Sequence, residues 1–87
     1  MIIFDKKKDA WLRSERNISF EYFAYVIERE GYLDVIINPA YDGQKIFIIE
    51  YNGYTYAVPF EYDRDENIIL KTVCPSRRYH NIYRNKP

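Results

Sequence analysis

Eighty-seven residues, 47% hydrophobic and 18% aromatic, suffice for one small globular domain over 1–87 and exclude both a second core and a disordered chain. A formal net charge of zero argues against a polycation that coats nucleic acid regardless of sequence. The one cysteine, Cys74, excludes an internal disulfide framework and a multi-cysteine zinc site.

Ile2, Ile3 and Phe4 form a short apolar run suited to an edge strand. Asp5 is a fitting N-cap for a first helix over Lys6–Arg16, with Trp11 and Leu12 as its inward anchors. Ser19 caps a second helix, Ile18 and Phe23 have the spacing of a hydrophobic staple, and Phe20, Phe23, Ala24 and Ile27 fall on one face. Gly31 is expected to close that helix in the left-handed conformation.

Beyond Gly31 the period becomes extended. A Val/Ile-rich strand over 33–37 stops at Asn38-Pro39 and Asp42-Gly43. Strands over 44–51 and 54–62 flank Asn52-Gly53, the dipeptide best suited to a two-residue type I′ turn. That turn pairs Tyr51 with Tyr54, Ile49 with Tyr56 and Phe47 with Val58 on one face, and leaves Ile48 and Ala57 on the other. Pro59 cannot donate to a ladder, so a bulge or break is expected near it. A turn at 63–67 leads into a last strand over 68–74, where Cys74 reads as a buried, inert thiol. Pro75 stops the strand, and Ser76 caps a short helix over 77–84. Helices grouped before consecutive strands imply an α+β domain: two N-terminal helices on a four-stranded antiparallel sheet, with a short C-terminal helix or tail.

Charge is unevenly spread along this order. Residues 1–19 carry a net +2, residues 20–66 a net −7, and residues 67–87 five basic groups and no acidic one. The basic end holds Lys71, Arg77, Arg78 and His80 together with Tyr79 and Tyr83, the chemistry of a phosphate site. No apolar run approaches the roughly 18–20 residues of a membrane span, and MIIFDKKKDAW turns charged too early for a signal peptide. A cytoplasmic protein without a membrane partner is expected. There is no Gly-rich phosphate loop, zinc-ligand spacing or calcium-loop pattern, so no cofactor and no metal is expected.

Two stretches carry a family resemblance. Arg13-Ser14-Glu15-Arg16-Asn17-Ile18-Ser19-Phe20-Glu21 is similar to the basic helix end, turn and second-helix start of the BrnT-type toxins of bacterial toxin–antitoxin operons. Val73-Cys74-Pro75-Ser76-Arg77-Arg78 is similar to that family's strand running into paired arginines, and Asn17 stands where the family usually has Gly. The resemblance implies a RelE-like architecture and a ribonuclease toxin whose partners are RNA, free or ribosome-associated, and a cognate antitoxin protein.

Metal-free RNA cleavage by a 2′-OH needs a base, an acid and cations that stabilise the phosphorane. Arg77 and Arg78 suit the phosphate, and histidine as a residue type suits proton transfer, which makes His80 the candidate acid or base. Lys71 is a candidate phosphate anchor or base. Tyr79 and Tyr83 are candidates for stacking bases, and Arg13 and Arg16 for joining the RNA surface in space. Two other readings remain open: a protein-interaction domain whose arginines meet a partner's carboxylates, and an RNA-binding module that does not cleave.

Overall fold

The computed structural model describes residues 1–84. In chain order it comprises β1 (Ile2–Ile3), α1 (Lys6–Arg16), α2 (Phe20–Glu28), β2 (Asp34–Ile37), β3 (Lys45–Tyr51), β4 (Tyr54–Tyr62), β5 (Ile68–Leu70), β6 (Cys74–Pro75) and α3 (Arg77–Tyr83). The class is α+β, as expected. Among the described residues no helix is long and apolar enough to cross a membrane.

Side chains and turns satisfy the backbone groups that helix ends leave orphaned. Asp5 accepts the Lys7 and Lys8 amides at 2.8 and 3.4 Å, and Asn17 ends α1 in the left-handed conformation at φ 55°. Ser19 accepts the Glu21 amide at 3.0 Å to open α2. At the far end of α2 the left-handed residue is Glu30 (φ 56°), which corrects the expectation for Gly31. The Glu30 and Gly31 amides donate to the Ile27 and Val26 carbonyls at 3.0 and 2.9 Å, a Schellman closure. Gly31 supplies room instead: a Cβ there would meet Val26 Cγ1 at 3.2 Å.

The inward side of α1 also differs from expectation. Leu12 is fully buried, but Trp11 stays 48% exposed, with the Arg16 guanidinium 5.3 Å from its ring centroid. Asp9, three residues before Leu12, shares the inward stripe and is buried. Its carboxylate accepts the Phe20 amide at 2.8 Å, the Ser19 hydroxyl at 3.3 Å and Arg13 Nε at 2.8 Å, which fastens α1 to the start of α2. Burial pushes this carboxyl up, yet the bonds from Arg13, Phe20 and Ser19 together hold it below the ordinary aspartate range.

The sheet order is β1-β5-β4-β3-β2, with β6 also paired to β4. The Asn52-Gly53 turn delivers the expected register, Tyr51↔Tyr54, Ile49↔Tyr56 and Phe47↔Val58. Both turn residues have positive φ, 53° and 80°. Two corrections concern strand count. The N-terminal β1 adds parallel to β5, so the sheet is mixed, and the last expected strand divides into β5 and β6.

That division explains Pro59. It keeps regular register opposite Ile46, without a bulge in β4 itself. The irregularity falls in the neighbouring segment, where Phe60↔Leu70 and Ala57↔Cys74 leave one extra residue across from Pro59. Its carbonyl accepts the Lys71 amide at 2.8 Å, and the side that lacks an N–H faces this interruption. Cys74 in the two-residue β6 is exposed, which corrects the expected buried thiol, because Val73 fills the inward position.

The two sheet faces bury very different amounts. Phe47, Ile49, Val58 and Phe60 pack with Leu12, Ile18, Phe20, Phe23 and Ile27 in the main core. Ile46, Ile48 and Ala57 form a second, smaller cluster on the opposite face, covered by Tyr79 and Tyr83. The C-terminal helix therefore makes a third layer.

Candidate nucleic-acid interface

Pro75 ends β6, and the Ser76 amide donates to the Thr55 carbonyl at 3.0 Å, which pins the start of α3 to β4. Ser76 Oγ then accepts the Tyr79 amide at 3.2 Å as the expected cap. Residues four apart share a helix face, so Tyr79 and Tyr83 both turn inward onto the small cluster. The Tyr83 hydroxyl donates to Asp34 Oδ2 at 2.6 Å. That bond, with burial and the Asp34 charge, pushes the phenol up to about 12, so it remains a proton donor. These two tyrosines, read as base-stacking candidates, anchor the helix.

Arg77 and Arg78 occupy the first turn of α3 and are both exposed. Arg78 lies over the Tyr79 ring at 5.8 Å, and neither arginine pairs with a carboxylate among the described residues. His80 follows on the same helix. Its Nδ1 is 3.1 Å from Thr55 Oγ1, and its ring stacks on Tyr54 with centroids 4.3 Å apart and planes 22° from parallel. The Thr55 contact occupies Nδ1 whichever tautomer is present, and Nε2 makes no hydrogen bond among the described residues.

An open cleft of about 280 Å³ lies against this histidine. Glu50, Gly53 and Thr55 of the β3–β4 hairpin line one side, and His80, Tyr83 and Arg84 line the other. From His80 a series of aromatic rings continues around the end of the sheet. Tyr54 meets Tyr56 at 6.4 Å, Tyr56 meets Tyr51 at 5.8 Å, and Tyr51 meets Tyr22 of α2 at 4.7 Å. Tyr51 and Tyr56 also pack on Phe23, each at 5.6 Å, as expected of rings lying under a helix.

The remaining candidates sit apart from His80. Lys71 Nζ pairs with Glu61 Oε1 at 3.0 Å, and this hydrogen bond, opposed by partial burial, holds the Glu61 carboxyl below its ordinary range. Glu61 is six positions along β4 from Thr55, roughly 20 Å at about 3.3 Å per residue. Lys71 is thus committed to a carboxylate at the other end of the strand. Arg13 and Arg16 belong to the opposite layer. Arg13 holds Asp9 at 2.8 Å and Glu21 at 3.4 Å, and also borders a cleft with Tyr22 and Tyr51 at the far end of the aromatic series. Arg16 is exposed above Trp11.

Sequence reasoning did not single out Thr55 or Asp34, although both anchor α3. The hairpin register contained part of the signal, since Thr55 shares a face with Ala57. The position of a seven-residue helix over that face was not contained in it.

No protein-family model matches the sequence, and no curated protein does. Among solved structures, the ribonuclease toxin BrnT of Brucella abortus matches with a TM-score of 0.63 at 21% identity, covering 86% of this chain and 94% of that one. The chain has the BrnT fold. The resemblance read from 13–21 and 73–78 is thus accompanied by a likeness of fold over 86% of the chain. Within this BrnT fold the two stretches fall at structural junctions: one joins α1 to α2 through Asn17 and Ser19, and the other joins β6 to α3 through Ser76.

Proposed function

We propose that this chain is the toxin of a type II toxin–antitoxin pair, an endoribonuclease that attacks RNA with the substrate's own 2′-OH. The observation that carries the reading is the C-terminal helix. It presents two exposed arginines and a histidine held at Nδ1 by Thr55, on the fold of a ribonuclease toxin.

The reaction forms a P–O2′ bond and breaks P–O5′, which leaves a 2′,3′-cyclic phosphate and a 5′-OH. One group accepts the 2′ proton and another gives a proton to the departing 5′ oxygen. His80 Nε2 is the proposed carrier of one of these protons, because the Thr55 contact occupies Nδ1 and leaves Nε2 without a hydrogen bond among the described residues. Arg77 and Arg78 engage non-bridging phosphate oxygens with planar paired donors. Tyr22, 42% exposed at the end of the aromatic series, is available to stack a base. Arg16 extends the path electrostatically, while Arg13 serves chiefly to hold Asp9.

An antitoxin that covers α3 would block this surface. A basic partner would also complement the acidic stretch over residues 20–66.

Expression without an antitoxin is expected to arrest growth, and Arg77→Ala with Arg78→Ala to relieve the arrest. Normal growth at high soluble expression favours a non-catalytic interaction domain. RNA retention without cleavage products in vitro favours an RNA-binding module.

A further inference from the structure

We infer that Glu50 is the second proton-transfer residue of the cleft beside His80, with Arg84 as its phosphate ligand. This inference rests on the ribonuclease reading and specifies that reading's site. A 2′-OH attack needs two proton carriers, and His80 is the chain's one histidine. The partner must be a different residue type that the fold brings to the same place.

Strand register brings Glu50 there. Glu50 and Thr55 are direct cross-strand partners, so their Cβ atoms lie side by side, roughly 4.5–5.5 Å apart, on the face that α3 covers. Thr55 in turn holds His80 Nδ1 at 3.1 Å, so one strand pair brings Glu50 and His80 to the lining of the same cleft. The Asn52-Gly53 turn lies just beyond this pair and fixes it with little slack.

Glu50 is exposed and makes no hydrogen bond or ion pair among the described residues, unlike Asp9, Glu61 and Asp63. It has no evident structural task. Arg84 stands one helical turn after His80, its amide bonded to the His80 carbonyl at 2.9 Å, and lines the same cleft. The space of about 280 Å³ is close to the lower bound for a small-ligand site, roughly 300 Å³, and suits one ribose phosphate.

In this arrangement Glu50 takes the proton from O2′ as the P–O2′ bond forms. Protonated His80 gives its Nε2 proton to O5′ as the P–O5′ bond breaks. The proton count balances between the two groups, which are reset through solvent. Arg84 joins Arg77 and Arg78 in donating to the non-bridging oxygens at the reacting phosphate.

The test uses the full chain, a short RNA and the same RNA with sulfur replacing the 5′ bridging oxygen at one step, a leaving group that needs no acid. Glu50→Gln is expected to slow single-turnover cleavage of ordinary RNA by about 100-fold or more at unchanged RNA affinity, with Glu28→Gln as the surface control. The sulfur substrate is expected to restore cleavage by His80→Ala but not by Glu50→Gln. Wild-type rates for Glu50→Gln, with His80→Ala inactive, overturn the assignment of Glu50 and leave the ribonuclease reading standing. Sulfur rescue of Glu50→Gln rather than His80→Ala also overturns it. Wild-type protein that leaves both RNAs intact removes the inference together with the reading beneath it.

Discussion

The two faces of this sheet are built to different standards. On one, a continuous cluster of Phe, Leu, Ile and Val side chains joins α1 and α2 to the strands, and a buried carboxylate ties the helices together. On the other, three buried residues and two half-buried tyrosines hold a helix that itself contains no buried residue. Stability is concentrated on the first face. The second leaves arginines, histidine and an open cleft accessible, as the proposed RNA surface requires. A lightly packed element bearing the proposed chemistry also follows the usual division between rigid scaffold and working segment.

The largest test of this contrast is packing. Phe23→Ala is expected to cost about 3–5 kcal/mol in urea unfolding, against roughly 0.5 kcal/mol or less for Ile82→Ala on the exposed side of α3. Equal losses would mean that α3 belongs to the main cooperative core. The next is functional: Arg77→Ala with Arg78→Ala is expected to lower cleavage by about 100-fold or more while the unfolding midpoint stays put. Loss of both together would assign the arginines to the fold.

Asp9→Asn sharpens the account of the first face. It replaces the charged acceptor of three hydrogen bonds and is expected to cost about 1–3 kcal/mol. Because the folded carboxyl lies below its ordinary range, its stabilisation is present above about pH 4 and is lost as pH falls through the folded value. The variant should lack that acid-sensitive component in unfolding titrations.

The smallest effect belongs to the second face. Tyr83→Phe removes the bond to Asp34 and is expected to cost about 1 kcal/mol. With the folded phenol at about 12 and the ordinary value near 10, that stabilisation is complete below pH 10 and is lost between 10 and 12. Wild-type protein should weaken across this window more than the variant does.

Much of the first face was legible in sequence because its signals are local. Asp5 and Ser19 cap their helices, and Asn52-Gly53 sets a register that a two-residue turn leaves little freedom to change. The failures are tertiary. Trp11 and Leu12 are adjacent and both apolar, and only the direction of the docked helix decides which is buried. Pro59 is accommodated by an extra residue in the segment between β5 and β6, and the room at Gly31 is set by the approach of Val26. The candidate site divides in the same way. Arg77, Arg78 and His80 lie within four residues of one another, so local helix geometry unites them. The Lys71–Glu61 pairing and the Glu50–Thr55–His80 cluster depend on which strand positions face which helix.

The central claim, that the lightly packed face is an RNA-cleaving surface, is tested most directly by mapping RNA ends. Purified protein is incubated with a defined RNA in the presence of a chelator, beside the Arg77→Ala and Arg78→Ala double variant. Fragments ending in 2′,3′-cyclic phosphate are expected with wild type, and intact RNA with an equally stable double variant. Intact RNA with wild type, or equal cleavage by both proteins, would contradict it.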